Sequence, residues 1–173
     1  SDTETLLAGF DAWGIQETIE KTIGMFAFSV WDRQTSSLTL GRDRIGEKPL
    51  YYGWQGSGKQ KTFIFSSELK SFKENPSFVK KISRNALNLF MRYNCVPSPF
   101  SIYEGVYKLD PGNLLKISRR HPEPKIKPYW SFEDSLFHDN SHGGLDETST
   151  IEILESMLKK VVSDQMISDV PLG

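Results

Sequence analysis

Residues 24–54 read GMFAFSVWDRQTSSLTLGRDRIGEKPLYYGW. Gly24 to Trp31 is rich in Phe and Val and ends at Asp32, ahead of a polar turn through Thr35, Ser36 and Ser37. Leu38 to Arg44 resumes as a second strand and Leu50 to Trp54 as a third. Thr62 to Phe65 is a fourth, beyond the turn Gly56-Ser57-Gly58-Lys59. Connections this short call for antiparallel pairing, because a parallel neighbour needs a long crossover. The expectation is a four-stranded meander forming at least half of a sheet.

On the amino-terminal side the pattern is helical. Ser1 and Glu4 have capping-box spacing, and Leu6, Leu7, Phe10 and Trp13 form an apolar face before Gly14. Ile15 to Ile23 is a second short helix. On the carboxy-terminal side, Ser66 to Lys73 reads as a short helix, and Arg84 to Tyr93 as another with Leu87, Phe90 and Met91 on one face. Ile102 to Leu109 is extended and runs into the turn Asp110-Pro111-Gly112, and Leu114 to Ile117 is a further strand. The prolines at 122, 124 and 128 and the polar run His138 to Asp146 then read as a linker. A last helix starts near Ser149 with Glu152 in capping-box position. Ile151, Leu154, Leu158 and Val161 follow at helical spacing. The fold class is read as α+β.

Composition narrows the function classes. Twenty-one basic residues against 22 acidic ones leave a net charge of −1, so electrostatics points to neither nucleic acid nor an anionic membrane. The single cysteine, Cys95, excludes a disulfide within the chain and a multi-cysteine metal site, and suits a reducing, cytoplasmic setting. No apolar run approaches the length of a membrane span, and the acidic start is unlike a signal peptide. His121, His138 and His142 lack metal-ligand spacing, so no metal site is expected. Gly56-Ser57-Gly58-Lys59 lacks the length and the following Ser/Thr of a phosphate loop and reads as a hairpin turn.

Several segments share the order and spacing of one family. They are Ser1-Asp2-Thr3-Glu4, Gly24-Met25-Phe26-Ala27-Phe28, Gly41 through Tyr52, and Ser168-Asp169-Val170-Pro171-Leu172-Gly173. Ser66-Ser67-Glu68-Leu69-Lys70, Val96-Pro97-Ser98-Pro99 and Lys108-Leu109-Asp110-Pro111-Gly112 fit the same pattern. In these the chain resembles glutamine-hydrolysing asparagine synthetases, particularly the bacterial and archaeal type, over essentially its whole length. The resemblance implies a partial four-layer αββα sandwich of the amino-terminal nucleophile (Ntn) hydrolase type. It places residues 1–130 in the later part of a glutaminase domain, 131–147 in a linker, and 148–173 in the first helix of a synthetase domain.

In that family the first domain releases ammonia from glutamine. The second uses ATP and magnesium to adenylate aspartate, and ammonia then displaces AMP to give asparagine. Glutamine, aspartate and ATP are thus the implied partners, with no nucleic acid, no membrane and a homo-oligomer open. The family nucleophile is an amino-terminal cysteine whose own amine can serve as base. Both ends of the present sequence read as cut, so no catalytic residue is assigned, and neither ATP nor metal is expected on this segment. Ser1 reads as a helix cap rather than a nucleophile, and Cys95 as a buried or half-buried structural thiol.

Two residues carry the site expectations. The resemblance implies that Asp2 holds the α-ammonium of glutamine, a task that suits a carboxylate; its alternative is to cap the first helix beside Ser1. Met25 matches a methionine lining the passage that carries ammonia between the two sites, and a core methionine is its ordinary alternative. An apolar wall there disfavours protonation of ammonia. Some relatives carry two apolar residues where this chain has Glu47 and Lys48. Arg42, Asp43 and Arg44 are expected to form an ion-pair network holding a loop. Other readings stay open: a synthetase-like enzyme closing a β-lactam or lasso peptide, one amidating a sugar or another carboxylate, and a non-catalytic interaction module.

The stripe on the last helix gives a first prediction. Each of its apolar side chains gains about 1.5–3 kcal/mol on burial, and a single helix of this length is marginal without a partner. The chain is therefore expected to self-associate through it. Light scattering at several concentrations, with and without the segment after Glu147, checks this; a chain that stays monomeric with the segment present contradicts it.

Overall fold

The structure is a computed structural model that describes residues 1–138 and 146–166. The chain divides into two compact units, Ser1–Ser131 and Phe132–Gly173.

The first unit opens with α1 (Asp2–Trp13) and α2 (Ile15–Lys21), which pack on each other. A hairpin follows, β1 (Ala27–Asp32) with β2 (Ser37–Arg42). Its turn is held by the Asp32 carboxylate, which accepts from the Thr35 hydroxyl at 2.6 Å and from the Gln34 and Thr35 amides. Those bonds, the Thr35 hydroxyl first, keep the Asp32 carboxyl below its usual range.

The meander ends there. β3 (Tyr51–Gln55) pairs with β4 (Thr62–Ser66) and with the two-residue β5 (Tyr107–Lys108), in a sheet of order β4-β3-β5. The far side of β2 is taken by β6 (Asn113–Ser118), which pairs with β7 (Lys125–Pro128), giving the order β1-β2-β6-β7. All strand pairings among the described residues are antiparallel. The expected single sheet is two sheets, because the short link from β2 to β3 is a crossing between layers rather than a hairpin turn.

The sheets face each other. Leu40, Leu115 and Ile117 from the first meet Tyr52 from the second, with Trp54 and Phe63 packed against them. Leu50 and Leu109, one on each chain crossing, complete the core. Leu40, Leu109 and Leu115 are wholly buried, each worth about 1.5–3 kcal/mol. On the outer face of the first sheet, the Phe28 ring packs at 5.3 Å, tilted by 46°, against Phe10 of α1. Gly41 lies opposite Phe28 in the ladder, and a Cβ there would sit 2.3 Å from its ring, so only glycine admits it. The outer face of the second sheet packs Ile64 and Val106 against Phe72 of a short 3-10 helix (Leu69–Glu74). With α3 (Arg84–Tyr93) on that side, the layers run α-β-β-α, an Ntn-hydrolase-type sandwich.

Two buried charges hold the crossings. Arg42 and Asp43 are 8% and 1% exposed, and neither is in an ion pair among the described residues. The Arg42 guanidinium instead donates to three carbonyls: Gly46 at 2.6 Å, Leu109 at 2.7 Å and Lys48 at 2.8 Å. The Asp43 carboxylate accepts from the amides of Glu47 at 2.8 Å and Lys48 at 3.0 Å. The expected ion-pair network is therefore a charge-to-backbone network, which satisfies a loop that has no strand partner. Gly46 turns at φ 75°, and a Cβ there would come within 2.9 Å of the Arg42 side chain. Arg44 reaches the other way, to the Thr22 and Glu20 carbonyls at 2.6 and 2.7 Å, tying down the end of α2.

Other expectations shift by smaller amounts. The helix expected from Ser66 is the 3-10 turn at Leu69–Glu74, and the extended stretch from Ile102 is strand only at β5. The expected linker holds β7, whose Pro128 is tolerated because it closes an edge strand. It also holds α4 (Phe132–His138). The last helix, α5 (Glu147–Gln165), is capped by Asp146 rather than by a Ser149–Glu152 box: the Asp146 carboxylate accepts from the Ser149 amide at 3.0 Å. Residues 139–145 of the expected linker, His142 among them, and the segment Ser168–Gly173 lie outside the described residues.

Arg42→Met should lower stability by about 3 kcal/mol, because it strands three carbonyls. Arg33→Met, on the exposed hairpin turn, should change it by less than about 0.5 kcal/mol. Urea denaturation of both variants makes the comparison. A second expectation concerns alkaline pH. The Tyr129 hydroxyl donates to the Arg42 carbonyl at 2.9 Å, and burial pushes its phenol up to about 12; burial does the same to Tyr52. A raised folded value means that the stability from the neutral phenol is whole below about 10 and is lost as pH rises through about 12. Phenolate absorbance and unfolding followed together across that window should show the loss, and Tyr129→Phe should reduce it.

Candidate functional site

An open cleft of about 500 Å³ lies between α1 and the segment that enters β1. The first turn of α1 contributes Asp2 and Thr3 to one wall, and Phe10 lies further along it. The floor is aromatic: Phe28 lies 5.3 Å from Phe10 and 6.0 Å from Phe26. Met25 stands at the mouth, half exposed, ahead of β1 rather than within it. Lys48 and Pro49 close one end, with Ser67 nearby.

The sandwich fixes each wall. The Asp43 amide donates to the Phe26 carbonyl at 2.9 Å, so the segment bearing Met25 hangs from the same loop that carries Lys48. Asp2 and Glu4 both fall in the first turn of α1, where the helix dipole favours negative charge. Glu4 is occupied by the Ser1 nitrogen at 3.3 Å. The Asp2 carboxylate has no hydrogen-bond or ion-pair partner among the described residues. The cleft thus offers one free carboxylate beside an apolar floor, a setting for an ammonium group carried on a short hydrocarbon chain.

Asp2 and Met25, far apart in sequence, are brought to this one cleft. Cys95 is not. It is exposed rather than buried, on the rim of a separate groove beside α3. Near it Lys108 donates to the Val96 carbonyl and lies 5.9 Å from the Tyr51 ring centre, where burial first and Arg42 second push its ammonium down. The sequence reading missed Phe10 and Phe28 as floor residues, although the Gly41 opposite Phe28 marks where a large ring needs room. It set Lys48 beside the ammonia passage, as a departure from the apolar residues of some relatives, and gave Tyr129 no part.

No group of three or more acidic, histidine or cysteine side chains among the described residues could hold a metal. The turn from Gly56 to Lys59 closes on itself: the Gln60 amide donates to the Ser57 carbonyl at 3.1 Å, and a Cβ on Gly56 would meet the Gln60 carbonyl at 2.7 Å. No helix among the described residues is long and apolar enough to cross a membrane.

The family model for the glutamine amidotransferase domain matches residues 1–130. The chain belongs to that family. A Methanocaldococcus jannaschii protein named for asparagine synthetase (glutamine-hydrolyzing) is 33% identical to this glutamine amidotransferase domain chain, over 100% of it and 32% of the relative. Asparagine synthetase (glutamine-hydrolyzing) 3 of Bacillus subtilis is 30% identical over 99% of the chain and 26% of the relative. Amidase chyE of Penicillium rubens is 29% identical over 100% of the chain and 24% of the relative. The chain thus spans about a third to a quarter of the length of the curated relatives it matches.

Proposed function

We propose that this glutamine amidotransferase domain works in an asparagine synthetase, supplying ammonia from glutamine for the ATP-dependent amidation of aspartate. The observation that carries the reading is the cleft: an unpaired Asp2 carboxylate and Met25 open into one apolar-floored site. Asp2 takes the α-ammonium of glutamine through charge-assisted hydrogen bonds, each worth about 1.5–3 kcal/mol. Met25 belongs to the apolar wall along which ammonia leaves, a surface that favours the neutral, nucleophilic form. Residues 1–130 form the glutaminase part, 131–147 the link and 148–173 the start of the synthetase part. ATP and magnesium act in that second part, beyond the described residues, and the setting is cytoplasmic.

A second reading keeps the glutaminase role and changes the acceptor. It has support in the relative named amidase chyE, whose name is not that of an asparagine synthetase. Nothing in the cleft chooses the acceptor, since the cleft handles only the nitrogen donor.

The test is made in the full-length protein. Asp2→Ala should weaken apparent glutamine affinity roughly ten- to hundredfold while sparing synthesis driven by free ammonia, which enters after the glutaminase step. Steady-state assays with each nitrogen source measure both. Equal loss of the two activities would make Asp2 a structural residue.

A further inference from the structure

A groove of about 470 Å³ runs between α3 and the outer face of the second sheet, and it shares no lining residue with the cleft beside α1. Its wall is mainly aliphatic. Leu87 and Phe90, one helical turn apart on α3, are 42% and 45% exposed, and Ile82 ahead of the helix is 53% exposed. Apolar side chains scattered singly over a surface need no explanation, but these gather along one concave strip.

Among the described residues that line the groove, Lys108 is the only charged one. It is half-buried. In the ladder it lies opposite Tyr51, so the two side chains rise from one face, and the ammonium stands 5.9 Å from the Tyr51 ring centre. The Lys108 amide donates to the Pro99 carbonyl at 2.9 Å, which anchors the stem. At the head, the ammonium donates to the Val96 carbonyl and joins no ion pair among the described residues. The ordinary account is a structural tie that pins the loop before Pro97. Such a tie still leaves a positive charge without a counter-charge in an apolar wall. Burial first, and the Arg42 guanidinium second, push the Lys108 ammonium down, the sign of a cation short of stabilisation. An ammonium carries three donors, so one carbonyl and a ring face leave it able to take an anion.

One cation beside an aliphatic strip complements one negative head on a hydrocarbon chain. We propose that the groove beside α3 binds a medium-chain aliphatic monocarboxylate, its head on the Lys108 ammonium and its chain along Leu87 and Phe90. A phosphate head would call for more donors than a single lysine supplies.

Cys95, exposed on the rim, reports occupancy. In the full-length protein, the rate of its alkylation by iodoacetamide is read from the mass of the peptide that carries it. Octanoate, octan-1-ol, octyl phosphate and acetate are compared, each below its aggregation limit. Octanoate should slow the reaction saturably, octan-1-ol should need roughly ten- to hundredfold more, and acetate should have no effect. Lys108→Met should reduce octanoate to the level of octan-1-ol and leave octan-1-ol unchanged, which also shows the groove intact. Lys108→Arg should keep most of the preference for octanoate. If the methionine variant folds poorly, the wild-type comparison of octanoate with octan-1-ol carries the test. Equal protection by those two in the wild type overturns the role of Lys108. Tighter binding of octyl phosphate than of octanoate overturns the carboxylate head. No protection by any of the four overturns the site, as does a Cys95 that resists alkylation without ligand, because the groove is then covered by another part of the protein.

Discussion

A guanidinium and a carboxylate, adjacent in sequence and almost wholly buried, spend their hydrogen bonds on backbone instead of on each other. That choice governs the sandwich. Two sheets packed face to face must be joined by chain that leaves one layer for the other, and such chain loses its ladder partners at the moment it enters the interior. Arg42 answers with a donor fork to Gly46, Lys48 and Leu109, and Asp43 with an acceptor pair to Glu47 and Lys48. One guanidinium thereby stitches both crossings, since Leu109 lies on the return path from β5 to β6. A direct ion pair would have neutralised two charges and left several amides and carbonyls unmet, a worse outcome in a low-dielectric interior.

The same loop sets the geometry of the cleft. Its Arg42 and Asp43 side chains hold Lys48 by its carbonyl and its amide, and the Asp43 amide holds the Phe26 carbonyl. The Met25 segment and Lys48 are thus tied to one loop, while another wall of the cleft is the opening turn of α1. Phe28, admitted by Gly41, couples the two by packing against Phe10. The polar heads that face the cleft sit on helix and anchored loop, which suits recognition of a small ligand better than a mobile lid would.

Much of this was legible in the sequence. Strong local patterns gave α1, α2, α3 and the first four strands to within a few residues, because periodicity and turn chemistry act over short range. Which strands pair was not legible beyond the β1–β2 and β3–β4 hairpins. The link from Gly41 to Leu50 is short enough for a hairpin, and only the burial of Arg42 and Asp43 reveals it as a crossing. β7 hid behind Pro122, Pro124 and Pro128, since an edge strand needs few ladder bonds and admits residues that read as linker. Asp2 and Met25 were singled out through family resemblance alone. Lys48 was noted only as a departure from the apolar residues of some relatives, because the grip on its backbone by Arg42 and Asp43 leaves no local sequence signal.

The two margins of the larger sheet are defended unequally. β7 ends one side with Lys125, Lys127 and Pro128, residues that discourage another strand from adding. β1 ends the other with Ala27, Phe28, Val30 and Trp31, and has neither lysine nor proline. In this chain that strand is more apolar than β7 and lacks its positive charges. Residues of β1 also line the cleft, so a charge placed on that strand would be felt at the site as well as in the sheet.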